Sequence, residues 1–162
     1  MRKPLHPLIH QTIWVVAVSA SLIGAAVADK DKRATRVPLL PKYQQECAAC
    51  HVAYPPGLLP AASWQRVVSG LSRHYGTDAS VDPATAKQLS AWLTANAGSG
   101  RHARQAPPED RITKSAWFLR EHDEVSAGTW QRPAIKSAAN CAACHTGAEQ
   151  GDFNEHTVHI PR

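Results

Sequence analysis

After Met1 the chain contains no further methionine, so no thioether is available as a metal ligand once that residue is gone. No Lys/Arg-rich block with interleaved aromatics occurs, and with it goes the usual footprint of a nucleic-acid partner. No strand–helix–strand pattern is visible, which weighs against a thioredoxin-like dithiol. Candidate acids and bases form no recognisable catalytic arrangement. Cysteine is scarce as well, with only four residues, and all of them fall in two short blocks.

Those blocks are identical pentapeptides, Cys47-Ala48-Ala49-Cys50-His51 and Cys141-Ala142-Ala143-Cys144-His145. C-x-x-C-H is the attachment motif of c-type haem. Two residues between the sulfurs match the separation of the two vinyl groups on one porphyrin, and the adjacent histidine then reaches the iron. A zinc site can use C-x-x-C pairs, but zinc does not explain a histidine directly after both. The spacing therefore predicts two covalently attached haem c groups, held by Cys47, Cys50 and His51 and by Cys141, Cys144 and His145.

The N-terminus reads as an export signal. Arg2 and Lys3 precede an almost uncharged apolar run from Thr12 to Val27, and Ala26-Val27-Ala28 is a small-x-small cleavage site. An uncleaved anchor is the alternative, since the run approaches the ~18 apolar residues of a membrane span. Cleavage would give a periplasmic protein beginning near Asp29, with no membrane insertion afterwards. The formal charge of +5 falls to +3 once Arg2 and Lys3 are lost, and the propionates of two haems bring it close to neutral. Charge thus speaks to docking partners and not to nucleic acid.

The expected fold is mainly α, with residues 1–28 as signal peptide, 29–97 as an N-terminal haem domain, 98–110 as a linker and 111–162 as a C-terminal haem domain. A short helix is expected from about Tyr43, carrying Cys47 to His51. A prolyl carbonyl in the Tyr54–Pro60 loop is a candidate partner for the His51 Nδ1 proton. Residues 62–75 are expected to form the clearest amphipathic helix, with Trp64, Val67, Val68 and Leu71 on one face and His74 continuing that stripe. Asp82-Pro83 opens a second helix that runs to about Asn96. Ser115 can cap a short helix through Trp117 and Phe118 to His122, and Trp130 and Pro133 fall in an irregular connection. Ser137 or Asn140 is expected to start the helix bearing the second motif. Each half is only about 60 residues, too small for a sufficient core, so the porphyrins are expected to complete it. Apart from the pentapeptides there is no internal repeat.

The far side of each iron decides the chemistry. A six-coordinate haem passes electrons, whereas an open position binds or activates a small molecule. With methionine excluded, the candidates are His74, His102, His122, His156 and His159. His74 lies 23 residues after His51 and His122 lies 23 residues before His145. Short closures cost less chain entropy, so these two are the favoured metal ligands. His102 in the linker and His156 and His159 in a polar tail read as solvated, and they remain the alternatives for the second haem.

At this point the residues resemble the bacterial diheme cytochrome c (DHC) family. The matching stretches are Glu46 to Pro60, Leu71 to Gly76, Asp110 to Thr113, Trp117 to Val125, Lys136 to Phe153, and the closing Ile160-Pro161-Arg162. The resemblance implies a periplasmic electron carrier with two bis-histidine haems, whose distal histidines fall on His74 and His122. It implies a first domain similar to class I cytochromes c and a less regular second domain with short helices. It also implies partners, a membrane b-type cytochrome or quinol-linked donor and a small soluble haem protein. One departure from the general class I pattern is that the long first helix is short or missing.

The leading expectation is thus a low-potential electron carrier, not an enzyme. The alternative is a haem enzyme or gas-binding protein with one five-coordinate iron, for which His102, Glu121 and Asp123 are the conceivable helpers. A third reading makes the chain a subunit of a membrane redox complex.

Overall fold

The computed structural model describes residues 37–100 and 102–162. The expected signal peptide lies outside the described residues. Five α-helices lie among those described: α1 Pro41–Cys47, α2 Ala61–Ser69, α3 Pro83–Ala95, α4 Ala116–Glu121 and α5 Ala127–Trp130. Single 3₁₀ turns connect them, and the only strand-like features among the described residues are two isolated bridges, His74 with Thr77 and His145 with Val158. The chain is mainly helical, as its sequence predicts.

α1 starts at a proline, whose missing N–H costs nothing at the first helical position. α3 starts the same way, and Asp82 accepts hydrogen bonds from the Ala84 and Thr85 amides at 3.0 Å each. α2 ends at Gly70, whose N–H closes back on Arg66 and Val67. The amphipathic stripe therefore does not continue as one helix to His74. A 3₁₀ turn, Leu71–Arg73, follows and re-aims the chain.

The core of the first half gathers Tyr43 of α1, Ala53 and Leu59 of the proline loop, Trp64 of α2, and Leu89 and Leu93 of α3. The loop is buried because its polar groups are used. The Trp64 indole N–H donates to the Pro56 carbonyl at 2.7 Å, and the Tyr43 hydroxyl donates to the Tyr54 carbonyl at 2.9 Å. Satisfied backbone of this kind can be buried at little cost. Gly98 closes the loop from the other side. Its N–H donates to Leu59 O at 2.9 Å, and a Cβ there would collide with the Gly57 carbonyl.

The second half has a smaller core of Phe118, Ile135 and Ala148. Ser115 caps α4, accepting from the Phe118 amide at 3.2 Å and donating to the Ile112 carbonyl at 2.7 Å. Arg132 organises the irregular stretch after α5. Its carbonyl accepts from the Ile135 and Lys136 amides, and its guanidinium donates to Pro161 O at 2.8 Å.

Residues 109–112 are bound to the first half. Asp110 takes two hydrogen bonds from Arg66 of α2, at 2.6 and 2.8 Å. The Tyr75 hydroxyl donates to Glu109 O at 3.0 Å, and the Arg111 guanidinium lies 4.1 Å from the Tyr75 ring centre. Ile112 packs against the first core. A fork of this geometry is stronger than a single exposed ion pair, and it holds the Asp110 carboxyl below the usual carboxylate range, chiefly through the Arg66 hydrogen bonds.

Candidate haem sites

Cys47 is the last residue of α1, and Ala48 begins the turn that carries the rest of the first pentapeptide. The motif thus sits on a helix end instead of inside the helix expected from the sequence. Cys47 packs against the core cluster while Cys50 is exposed. The His51 Nδ1–H donates to its neighbour Val52 O at 2.7 Å, not to a prolyl carbonyl. That bond fixes the proton on Nδ1 and leaves Nε2 with its lone pair free for a metal. Tyr54 lies flat on the ring, 4.7 Å between centres and 17° between planes.

His74 occupies a tight turn. Its carbonyl accepts from the Thr77 amide at 3.1 Å, and the two residues between them, Tyr75 and Gly76, have φ of +52° and +99°. Positive φ at both central positions is the pattern of a type I′ turn, which glycine adopts without penalty. This places the His74 ring 6.2 Å from that of His51, with 25° between planes. Burial, the nearby His51 and the Arg111 charge together push the His74 pKa below its ordinary value.

The second pentapeptide lies on a 3₁₀ turn, Cys141–Ala143, with Asn140 at its N-cap position. No α-helix carries it, and its last turn is closed by the tail. The His145 amide donates to Cys141 O at 2.8 Å, and the His159 amide from the tail donates to Cys144 O at 2.9 Å. The His145 ring meets that of Phe153 at 5.5 Å. His122 sits at the C-terminal end of α4, and its Nδ1–H donates to Phe118 O at 2.9 Å. Again the lone pair is left on Nε2. The rings of His122 and His145 are 6.2 Å apart, with 71° between planes.

The two pairs share one separation. A metal–imidazole bond of about 2.0 Å and roughly 1.1 Å from nitrogen to ring centre, taken on both sides, put two ligand rings about 6.2 Å apart. Each pair therefore leaves the space that one iron needs between two histidines. Burial also pushes the Cys47 and Cys141 thiols up to about 11. Reactive dithiols have depressed values instead.

Among the described residues the other histidines, His102, His156 and His159, form no ring pair with these four. His156 and His159 are exposed, although the backbone of the tail pairs with the second motif. His102 is half-buried and tilted against Trp117 at 4.6 Å, so it is not the solvated side chain the sequence suggests.

Tyr54 was not legible as a site residue. Its ring covers His51 and its hydroxyl donates to Ala139 O at 2.7 Å, two residues before Cys141. It joins the two sites directly. Tyr54→Phe keeps the ring but loses this bond, and should lower the stability of the holoprotein by about 0.5–1.5 kcal/mol. Denaturant unfolding, with unchanged visible spectra as control, measures it; an unchanged midpoint would remove the bond from the account.

Comparisons with known proteins identify the family. The family model for dihaem cytochrome c matches residues 43–153. The diheme cytochrome c from Rhodobacter sphaeroides is 45% identical, with a TM-score of 0.65, over 72% of this chain and 98% of that one. A diheme cytochrome c from Shewanella baltica OS155 is 36% identical, with a TM-score of 0.67, over 77% of this chain and 95% of that one. No curated protein gives a match.

Proposed function

Because the chain belongs to the dihaem cytochrome c family and carries two covalently attached haem c groups, we propose that it is an electron carrier in which histidine pairs occupy both faces of both haems. His51 and His74 would hold the first, and His145 and His122 the second. Cys47, Cys50, Cys141 and Cys144 would form the thioether links. The observation that carries this reading is the equal ring separation of 6.2 Å in the two pairs.

When bound, each haem supplies a one-electron couple whose potential depends on axial ligand, burial and hydrogen bonding. The chain does the rest. Val52 and Phe118 carbonyls hold His51 and His122 in the tautomer that presents Nε2. Tyr54 and Phe118 cover one face of those rings. Imidazole on both sides gives a lower potential than a methionine–histidine pair and leaves no place for a substrate.

The same reading makes the protein periplasmic, exported through the signal peptide at residues 1–28. Among the described residues no helix is long and apolar enough to cross a membrane. The donor and acceptor proposed from the family resemblance are a membrane b-type cytochrome or quinol-linked donor and a soluble haem protein.

Carbon monoxide tests the carrier role. The reduced holoprotein at neutral pH should give two low-spin, six-coordinate spectra that do not change under the gas. Rapid binding at one haem would replace the carrier by a gas-binding protein or enzyme.

A further inference from the structure

The two histidine pairs share a separation but not an orientation. The rings of His51 and His74 are inclined by 25°, those of His122 and His145 by 71°. The difference has a local cause. Phe118 holds His122 in two ways at once: its ring stacks on the imidazole at 4.0 Å and 18°, and its carbonyl takes the Nδ1 proton at 2.9 Å. A stack and a hydrogen bond from one residue fix both the position and the plane of the ring.

Phe118 is itself packed on several sides. It is 6% exposed, its amide is capped by Ser115, and Trp117 and Trp130 flank it with ring centres at 6.0 and 6.3 Å. On the other side the His145 backbone is held by its turn and its ring lies against Phe153 at 5.5 Å, so the plane of the His122 ring is the one fixed by both a stack and a hydrogen bond. At the first site Tyr54 clamps His51 instead, and His74 faces it nearly parallel.

We infer that Phe118 is a positioning residue that locks His122 crosswise to His145, making the second haem electronically unlike the first. This rests on the four-histidine ligation proposed above. The reason is orbital symmetry. An imidazole donates π density to the one iron d orbital perpendicular to its plane. Parallel rings load the same orbital and split the pair, whereas crossed rings load one each and leave the pair nearly degenerate. The ferric form gains less from crossed rings, so crossing should raise the second potential above the value parallel rings would give. Orientation of ligands by the surrounding shell is a general lever on metal sites.

Electron paramagnetic resonance of the frozen ferric full-length holoprotein tests it. The expected result is two low-spin signals of equal weight, one rhombic and one strongly anisotropic. Phe118→Leu keeps the carbonyl and the apolar bulk but removes the flat ring. The anisotropic signal should then move toward the rhombic type and the second potential should fall, with the first haem unchanged. Phe118→Tyr, which retains the ring, should restore both. Should the leucine variant fail to accumulate, Phe118→Met fills the space with a flexible chain and reads the same way. Two rhombic signals in the unsubstituted protein, or an anisotropic signal that survives loss of the ring, would overturn the inference. A high-spin signal in the unsubstituted protein would instead break the ligation on which it rests.

Discussion

His122→Ala should convert one haem of the two, and only one, to a high-spin form that binds carbon monoxide on reduction. The expected change is therefore half of the total haem absorbance. His122 lies at the end of α4 with its ring 6.2 Å from His145, and an alanine there provides nothing for an iron. The first pair stands on different elements, the turn after α1 and the turn at His74, so its spectrum should not move. His74→Ala should give the mirror result, with the first haem opened and the second intact. His156→Ala and His159→Ala should change neither, because both side chains are exposed and outside the pairs. A second haem that stays low-spin in His122→Ala would pass the ligand role to His102, His156 or His159.

Replacing Cys47, Cys50, Cys141 and Cys144 together by serine should abolish the cooperative fold. The longest helix, α3, has 13 residues, and the others have between 4 and 9. Isolated helices shorter than ~12–15 residues are marginal in water, so packing has to hold them. The first core is built on six buried residues and the second on Phe118, Ile135 and Ala148. A core in a domain this small rarely supplies more than ~3–5 kcal/mol. Val67, Val68 and Trp92 are only half-buried in the chain alone, and a covalently held porphyrin in each half would supply the apolar mass that such a core lacks. Far-UV circular dichroism of the haem-free variant should show most helical signal lost and no sharp melting transition. A cooperative melt with native-like signal would mean that the polypeptide folds without its haems.

The places where sequence reading and structure part company follow one pattern. α3 was legible almost to the residue, because Asp82 and Pro83 are local signals that act within one turn. The same holds for Ser115 and α4. The stripe through Trp64 and Leu71 pointed to His74, but the helix stops at Gly70 and a turn with two positive φ values carries the histidine instead. Periodicity reports which side of the chain is apolar; it does not report where a glycine lets the backbone turn. The sequence places the second motif on a helix, whereas it lies on a 3₁₀ turn whose next carbonyl, Cys144 O, is taken by the tail. That tail contact, Val158 to His145, leaves no local mark in the sequence.

What the linear order of residues determined is the chemistry. Two C-x-x-C-H blocks, a lack of methionine after Met1, and histidines 23 positions away on either side name the cofactor and the ligand candidates, because covalent attachment depends on spacing along the chain. What only the folded molecule decided is how those groups face each other. Tyr54 reaches Ala139 across 85 positions, and Phe118 turns His122 across His145. Ring planes and long contacts arise from packing among residues far apart in the chain, and no pattern of neighbours encodes them.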